Sequence, residues 1–227
     1  MSDNKKSLQA LYPFLHGHKQ SPEQQQATLL ESVKQKSAQS RAEKEHFFAK
    51  NGEALVATAE TLANLYQQKQ RLYCMGNGGS SCDAAHFSVE FHPVTTGRPA
   101  LPAYNLCADS AMLTAVGNDV GMEQIFSRQL EAYATTGDGL VGFSTSGNSA
   151  NLLQAYRKAK QLDMITIGFA GGDGGEMLNS GLLDHCLVVE SDSIHRVQEI
   201  HLTCYHILWD LTHTLLADQR GNLGANR

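Results

Sequence analysis

Three groups of residues in this 227-residue chain have the types and spacing to do chemistry. His86 and Glu90 stand at i and i+4 in HFSVE (86–90), which puts an imidazole and a carboxylate on one helix face, a turn apart. A second polar set, Gln198, Glu199, His201 and His206, interrupts the apolar residues of HRVQEIHLTCYHILWDL (195–211). The third group is a pair of Gly/Ser turns, GNGGSS (76–81) and STSGNS (144–149), each directly after a short apolar run.

His, Glu, Gln and His together suit a nitrogen/oxygen site for zinc or a similar divalent ion. They equally suit an acid/base pair beside a sugar. Gln198 and His206 are eight residues apart, about 12 Å along a helix axis. One ion reaches both only from between them; otherwise one of the two serves another site, such as one across a subunit boundary. A His/Glu pair at this spacing is often no more than a solvated pair, and a histidine among apolar residues is often a core residue. Phe87, Val89 and Phe91 mark the first helix as partly buried, and it starts at one of the Gly/Ser turns.

In each turn, glycine lets the backbone bend tightly and approach an anion closely. The helix that follows offers free N–H groups and a positive dipole end. Ser80, Ser144, Thr145, Ser146 and Ser149 add neutral hydroxyl donors. Neither turn contains Lys or Arg, and neither matches the nucleotide-binding G-x-x-x-x-G-K-[ST] pattern. Dipoles and hydrogen bonds alone suit a phosphate monoester. Either turn by itself reads as a helix cap; two at equivalent strand ends point to a ligand.

The elements that must position these groups alternate from Arg71 onward. RLYCM, AYNLC, GLVGFS, MITIGFA and HCLVVE are short apolar runs separated by helix-like segments near 80–91, 109–134, 149–161 and 174–180. Such a pattern predicts an α/β fold, with a doubly wound, five-stranded, mainly parallel sheet flanked by helices. Ligands bind such sheets beyond the carboxyl ends of the strands, where both turns fall. A long helix over about 193–217 closes the pattern, and 218–227 reads as frayed. Before the sheet, residues 1–20 read as a flexible arm. Residues 21–70 read as an N-terminal extension of two helices, the first opened by SPEQ with Ser21 as N-cap, Pro22 at the first position and Gln24 at the third. Asn51–Gly52 is the expected break between them. With residues 71–220 these helices form one globular domain.

Composition narrows the class. Hydrophobic residues make up 41% and charged residues 18%, ordinary for a globular protein. A net charge of -5 argues against direct nucleic-acid binding. No apolar run approaches the roughly 20 residues that span a bilayer, and the N-terminus has no signal-like apolar core. Five widely spaced cysteines without C-x-x-C fit reduced thiols and a cytoplasmic location.

CMGNGGSSCDAAHFSVEF, AVGNDVGM, GDGLVGFSTSGNSANLLQA, GFAGGDGGEM and RVQEIHLTCYHIL together resemble the sugar isomerase (SIS) domain. More closely, they resemble the phosphoheptose isomerase family, from about Asn51 to Leu216. The resemblance implies an SIS fold and a homotetramer with active sites between subunits. It also implies interconversion of sedoheptulose 7-phosphate and D-glycero-D-manno-heptose 7-phosphate, a step toward lipopolysaccharide heptose. Carried over by motif, Ser80, Ser144, Ser146 and Ser149 hold the phosphate, Asn77, Asp119 and Thr145 lie near the sugar, and Gly78 and Gly79 also belong to the substrate site. His86, Glu90, Gln198 and His206 match zinc ligands, one ion per subunit, with Gln198 also near substrate. Glu90 and His206 match the catalytic acid/base pair.

The match has one local departure. After Glu90, where members of the family carry an arginine, this chain reads FHPVTTGRP (91–99), and Pro93 is expected to end the helix early. A different phosphosugar would follow from a changed loop. Two other readings share the fold: a DnaA-binding replication-initiation factor, and a phosphosugar-binding SIS protein without turnover. The replication factor lacks the glutamate and last histidine of the set, both present here as Glu90 and His206.

Overall fold

The computed structural model describes residues 21–92 and 100–224, with side chains to residue 217. The expected arm at 1–20 and most of the departing loop, 93–99, lie outside the described residues. Contacts divide the chain into two compact units, Met1–Ala42 and Glu43–Arg227.

Helix α1 runs unbroken from Pro22 to Gln67. Its start is the reciprocal cap foreseen in SPEQ: the Gln24 N–H donates to Ser21 Oγ, and the Ser21 N–H donates to Gln24 Oε1. The expected break at Asn51–Gly52 does not occur. A glycine inside a helix costs about 1 kcal/mol, and burial of Phe47, Leu55, Ala59 and Leu62 on either side outweighs that. Asn51 turns its amide back onto the Phe47 carbonyl and leaves the backbone ladder intact.

Five strands follow: β1 (Leu72–Gly76), β2 (Ala103–Asn105), β3 (Gly139–Ser144), β4 (Ile165–Gly171) and β5 (His185–Val189). They form one parallel sheet in the order β2-β1-β3-β4-β5. Between them lie α2 (Gly79–Phe91), α3 (Ser110–Asp119), a 3-10 turn (Met122–Gln124), α4 (Ser127–Tyr133), α5 (Ala150–Gln161) and α6 (Gly175–Asn179); α7 (Ile194–Gly224) ends the fold. The single helical segment expected over 109–134 is therefore three pieces, broken where Gly121 takes φ +127. Helix α7 continues to Gly224, into the stretch read as frayed. No helix among the described residues is long and apolar enough to cross a membrane.

Side-chain alternation splits the core in two. Cys74, Val141, Phe143, Ile167 and Phe169 face α2, α7 and the later part of α1. Tyr73, Met75 and Leu140 face α3, α4 and α5. On the first face, Phe143 and Phe169 stack with centroids 4.6 Å apart, and Phe87 of α2 and Tyr205 of α7 close around them. Gln198 packs on Gly79, Tyr205 bonds His86, and Trp209 bonds the Glu90 carbonyl. Each contact spans 119 residues (198 − 79, 205 − 86, 209 − 90), so α2 and α7 run parallel in one fixed register.

His201 belongs to this core. It is fully buried, its Nε2 donates to the Ala170 carbonyl at 3.1 Å, and its Nδ1 has no partner. Burial holds its pKa down to about 4. Between its ordinary value of about 6.5 and 4, the unfolded chain takes a proton that the folded one refuses, so acid should erode stability across that window, by up to about 3 kcal/mol. Denaturant unfolding from pH 7 to pH 4 should show a flatter pH dependence for His201→Gln than for wild type. Equal slopes would remove His201 as the cause.

Candidate active site

Strand order reverses between β1 and β3, and the two Gly/Ser turns leave the carboxyl ends of those two neighbours. This is the switch-point crevice where open α/β sheets hold ligands. Neither helix that follows receives a side-chain cap. The N-cap of α2 is Gly78, at φ +53 with no side chain to offer. The N-cap of α5 is Ser149, whose hydroxyl meets Ser144 Oγ at 3.0 Å rather than its own helix. The reading of these serines as ordinary helix caps therefore fails for α5.

The two turns are locked together. Asn77 and Asn151 exchange two amide hydrogen bonds of 2.9 Å, and Asn151 also accepts from the Leu152 N–H. In the second turn, Gly147 at φ +66 lies against the Gly174 carbonyl, where a Cβ would come within 2.1 Å. Ser146 accepts the Asn148 N–H on its hydroxyl. Ser80 and Ser144 are buried at the turn bases, while Thr145 and Ser149 are half-buried and Ser146 is exposed.

Two turns further along α2, a second polar group forms. His86 Nε2 lies 2.9 Å from Glu90 Oε1, and His206 Nε2 of α7 lies 3.9 Å from the same oxygen. The ligand atoms of all three residues fall within 4.8 Å of one another. Both contacts use Oε1. Glu90 is held from behind, because the Trp209 indole N–H donates to its backbone carbonyl at 2.7 Å.

Two imidazoles and a carboxylate are ligand types that zinc takes. Around a tetrahedral ion at about 2.1 Å, donor atoms stand about 3.4 Å apart, so separations of 2.9 and 3.9 Å fit such an ion after small side-chain rotations.

Other expected site residues are distributed differently. The Gln198 amide packs on Gly79 at the start of α2, beside the first turn. Asp119 is exposed at the end of α3, accepting from Asn118. Glu199 pairs with Arg196, and His201 is in the core.

Sequence reasoning missed three side chains here. Tyr205 is buried with its hydroxyl 2.8 Å from His86 Nδ1. Asp83 is buried one turn before His86, with Oδ2 lacking a partner, and burial pushes its pKa up to about 6. Asn151 is the third. Their types were visible in the sequence; their meeting depends on the register of α2 with α7 and of α2 with α5.

A family model described as the SIS domain matches residues 37–171. A phosphoheptose isomerase of Desulfovibrio desulfuricans is 44% identical over 171 residues, covering 74% of this chain and 80% of the relative. Among solved structures, a phosphoheptose isomerase from Francisella tularensis matches with a TM-score of 0.78 at 32% identity, over 82% of this chain and 98% of that one. The enzyme from Neisseria gonorrhoeae matches with a TM-score of 0.77 at 36% identity, over 82% and 99%.

If the Asn77–Asn151 pair joins the turns, Asn77→Ala and Asn151→Ala should each destabilise by about 1–2 kcal/mol. The double variant should lose less than the sum, a coupling of at least about 0.5 kcal/mol. Urea unfolding of the four proteins measures it, and strict additivity would refute the lock.

Proposed function

This chain belongs to the SIS-domain family and, within it, to the phosphoheptose isomerases, and from that premise we propose how its residues work. The reaction is the aldose–ketose interconversion of sedoheptulose 7-phosphate and D-glycero-D-manno-heptose 7-phosphate through an enediol. One observation carries the residue assignment: Glu90 and His206, 116 residues apart in sequence, face each other at 3.9 Å beside a crevice with two uncharged anion turns.

The phosphate is held by Ser80, Ser144, Ser146 and Ser149 together with backbone N–H groups at the starts of α2 and α5. Asn77, through its bond to Asn151, keeps the two halves of that cradle at one spacing. Gln198, Thr145 and Asp119 are assigned to the sugar; the place of Gln198 against Gly79 supports a role near the phosphate end.

The isomerisation moves a proton between adjacent carbons. Glu90 takes the carbon-bound proton, and His206 protonates or polarises the oxygen as the double bond shifts. The use of Oε1 by both imidazoles leaves Oε2 for the proton, so one carboxylate can be held and still act as base. A zinc ion bound by His86, Glu90 and His206, with Gln198 assigned by family resemblance as fourth ligand, would stabilise the enediolate oxygen. One ion per subunit, a homotetramer with sites between subunits and a cytoplasmic location complete this reading, on family resemblance.

The test is incubation with sedoheptulose 7-phosphate and product analysis. Wild type should convert it, and Glu90→Gln and His206→Ala should each slow turnover about 10²–10⁴-fold. Equal conversion by all three would contradict the assignment. A wild type that is inert to this substrate but active on another ketose phosphate would shift the substrate and implicate residues 91–99.

A further inference from the structure

We propose that Asp83 and Tyr205 are positioning residues that act in series on His86, holding it in the tautomer a metal ligand needs. The proposal rests on reading His86, Glu90 and His206 as a metal site, and it concerns residues that have no part in that site's ligand set.

The geometry gives His86 two hydrogen-bonded nitrogens. Nε2 faces Glu90 Oε1 at 2.9 Å, and Nδ1 faces the Tyr205 hydroxyl at 2.8 Å. Glu90 can only accept, so in the metal-free protein Nε2 carries the proton and the Tyr205 O–H donates to Nδ1. A metal at Nε2 needs that nitrogen bare, and Nδ1 must then carry the proton. Tyr205 becomes the acceptor on that side, and its own O–H must turn to another acceptor.

Asp83 supplies one. It lies at i−3 from His86 on α2, so it shares the face that meets α7. It is buried, and its Oδ2 has no hydrogen-bond partner. A buried carboxylate oxygen without a donor is costly, and a rotated Tyr205 hydroxyl removes that cost. The exchange is balanced: one proton leaves Nε2 for solvent, one arrives at Nδ1 from solvent, and Tyr205 keeps its proton while changing acceptor. Partners of this kind fix ring orientation and raise ligand basicity, and their loss typically weakens metal affinity about 10–100-fold.

The test uses Zn²⁺ alone, titrated against a chromophoric chelator, on wild type, Tyr205→Phe, Asp83→Asn and the double variant. Thermal unfolding of each metal-free protein checks the fold. Each single variant should bind Zn²⁺ about 10–100-fold more weakly, and the double variant no more weakly than Tyr205→Phe, because Asp83 acts through Tyr205. Nitrogen-15 spectra of the wild-type histidine rings provide a readout that needs no variant. His86 should carry its proton on Nε2 without metal and on Nδ1 with Zn²⁺. Unchanged affinity in Tyr205→Phe, or a bare Nδ1 in the Zn²⁺-loaded protein, overturns the proposal. A wild type that isomerises sugar phosphate with unchanged variant affinities removes this proposal and leaves the function standing; a wild type that does not bind Zn²⁺ removes the metal reading with it.

Discussion

The site depends on one packing constraint, the parallel contact of α2 with α7 at a constant offset of 119 residues. A slip of one residue would rotate each helical side chain about 100° around its axis, and His206 would leave Glu90. The aromatic group of Phe87, Phe143, Phe169 and Tyr205 prevents that slip. Rings of this size interlock at few orientations, and the two sheet residues in the group tie both helices to β3 and β4. Trp209 adds a polar pin by bonding the Glu90 carbonyl. The polar cluster is thus an edge of the apolar core, in which Tyr205 contributes its ring to the packing and its hydroxyl to His86.

The proposed anion end is built on a different principle. Without a lysine or arginine in either turn, the proposed phosphate binding falls to backbone dipoles and hydroxyls, whose value depends on fixed orientation. The structure supplies that through the Asn77–Asn151 pair and through the close approach of Gly147 to Gly174. In the proposed mechanism one end needs rigid dipoles and the other a carboxylate with an oxygen to spare, and both ends lie along α2 from the sheet's switch point.

Much of the scaffold was legible in the chain. The five strands fall within a residue or two of the apolar runs, because buried parallel strands read as continuous apolar stretches. The Ser21–Gln24 cap was legible because both halves of its hydrogen bonding are encoded three residues apart. The break at Asn51–Gly52 was misread, since local propensity there yields to the burial of Leu55, Ala59 and Leu62. The segment 109–134 was merged because its apolar pattern continues through Gly121, whose φ no helix can adopt. At the site, types and turns were readable, and the resemblance named the pairing of Glu90 with His206. Tyr205 was not readable as a partner of His86. Their meeting depends on the packing of two helices more than a hundred residues apart, which no local pattern encodes. His201 and His206 look alike in sequence and are sorted only by which side of α7 faces the sheet.

In the proposed mechanism Glu90 moves the proton while the rest of the crevice binds. Exchange of the C1 hydrogens of sedoheptulose 7-phosphate with D₂O, followed by proton NMR at saturating substrate, separates those two roles. Wild-type protein should incorporate deuterium at C1, and Glu90→Gln should bind the sugar phosphate with similar affinity yet exchange at least about 10²-fold more slowly. Exchange by Glu90→Gln at the wild-type rate would contradict it.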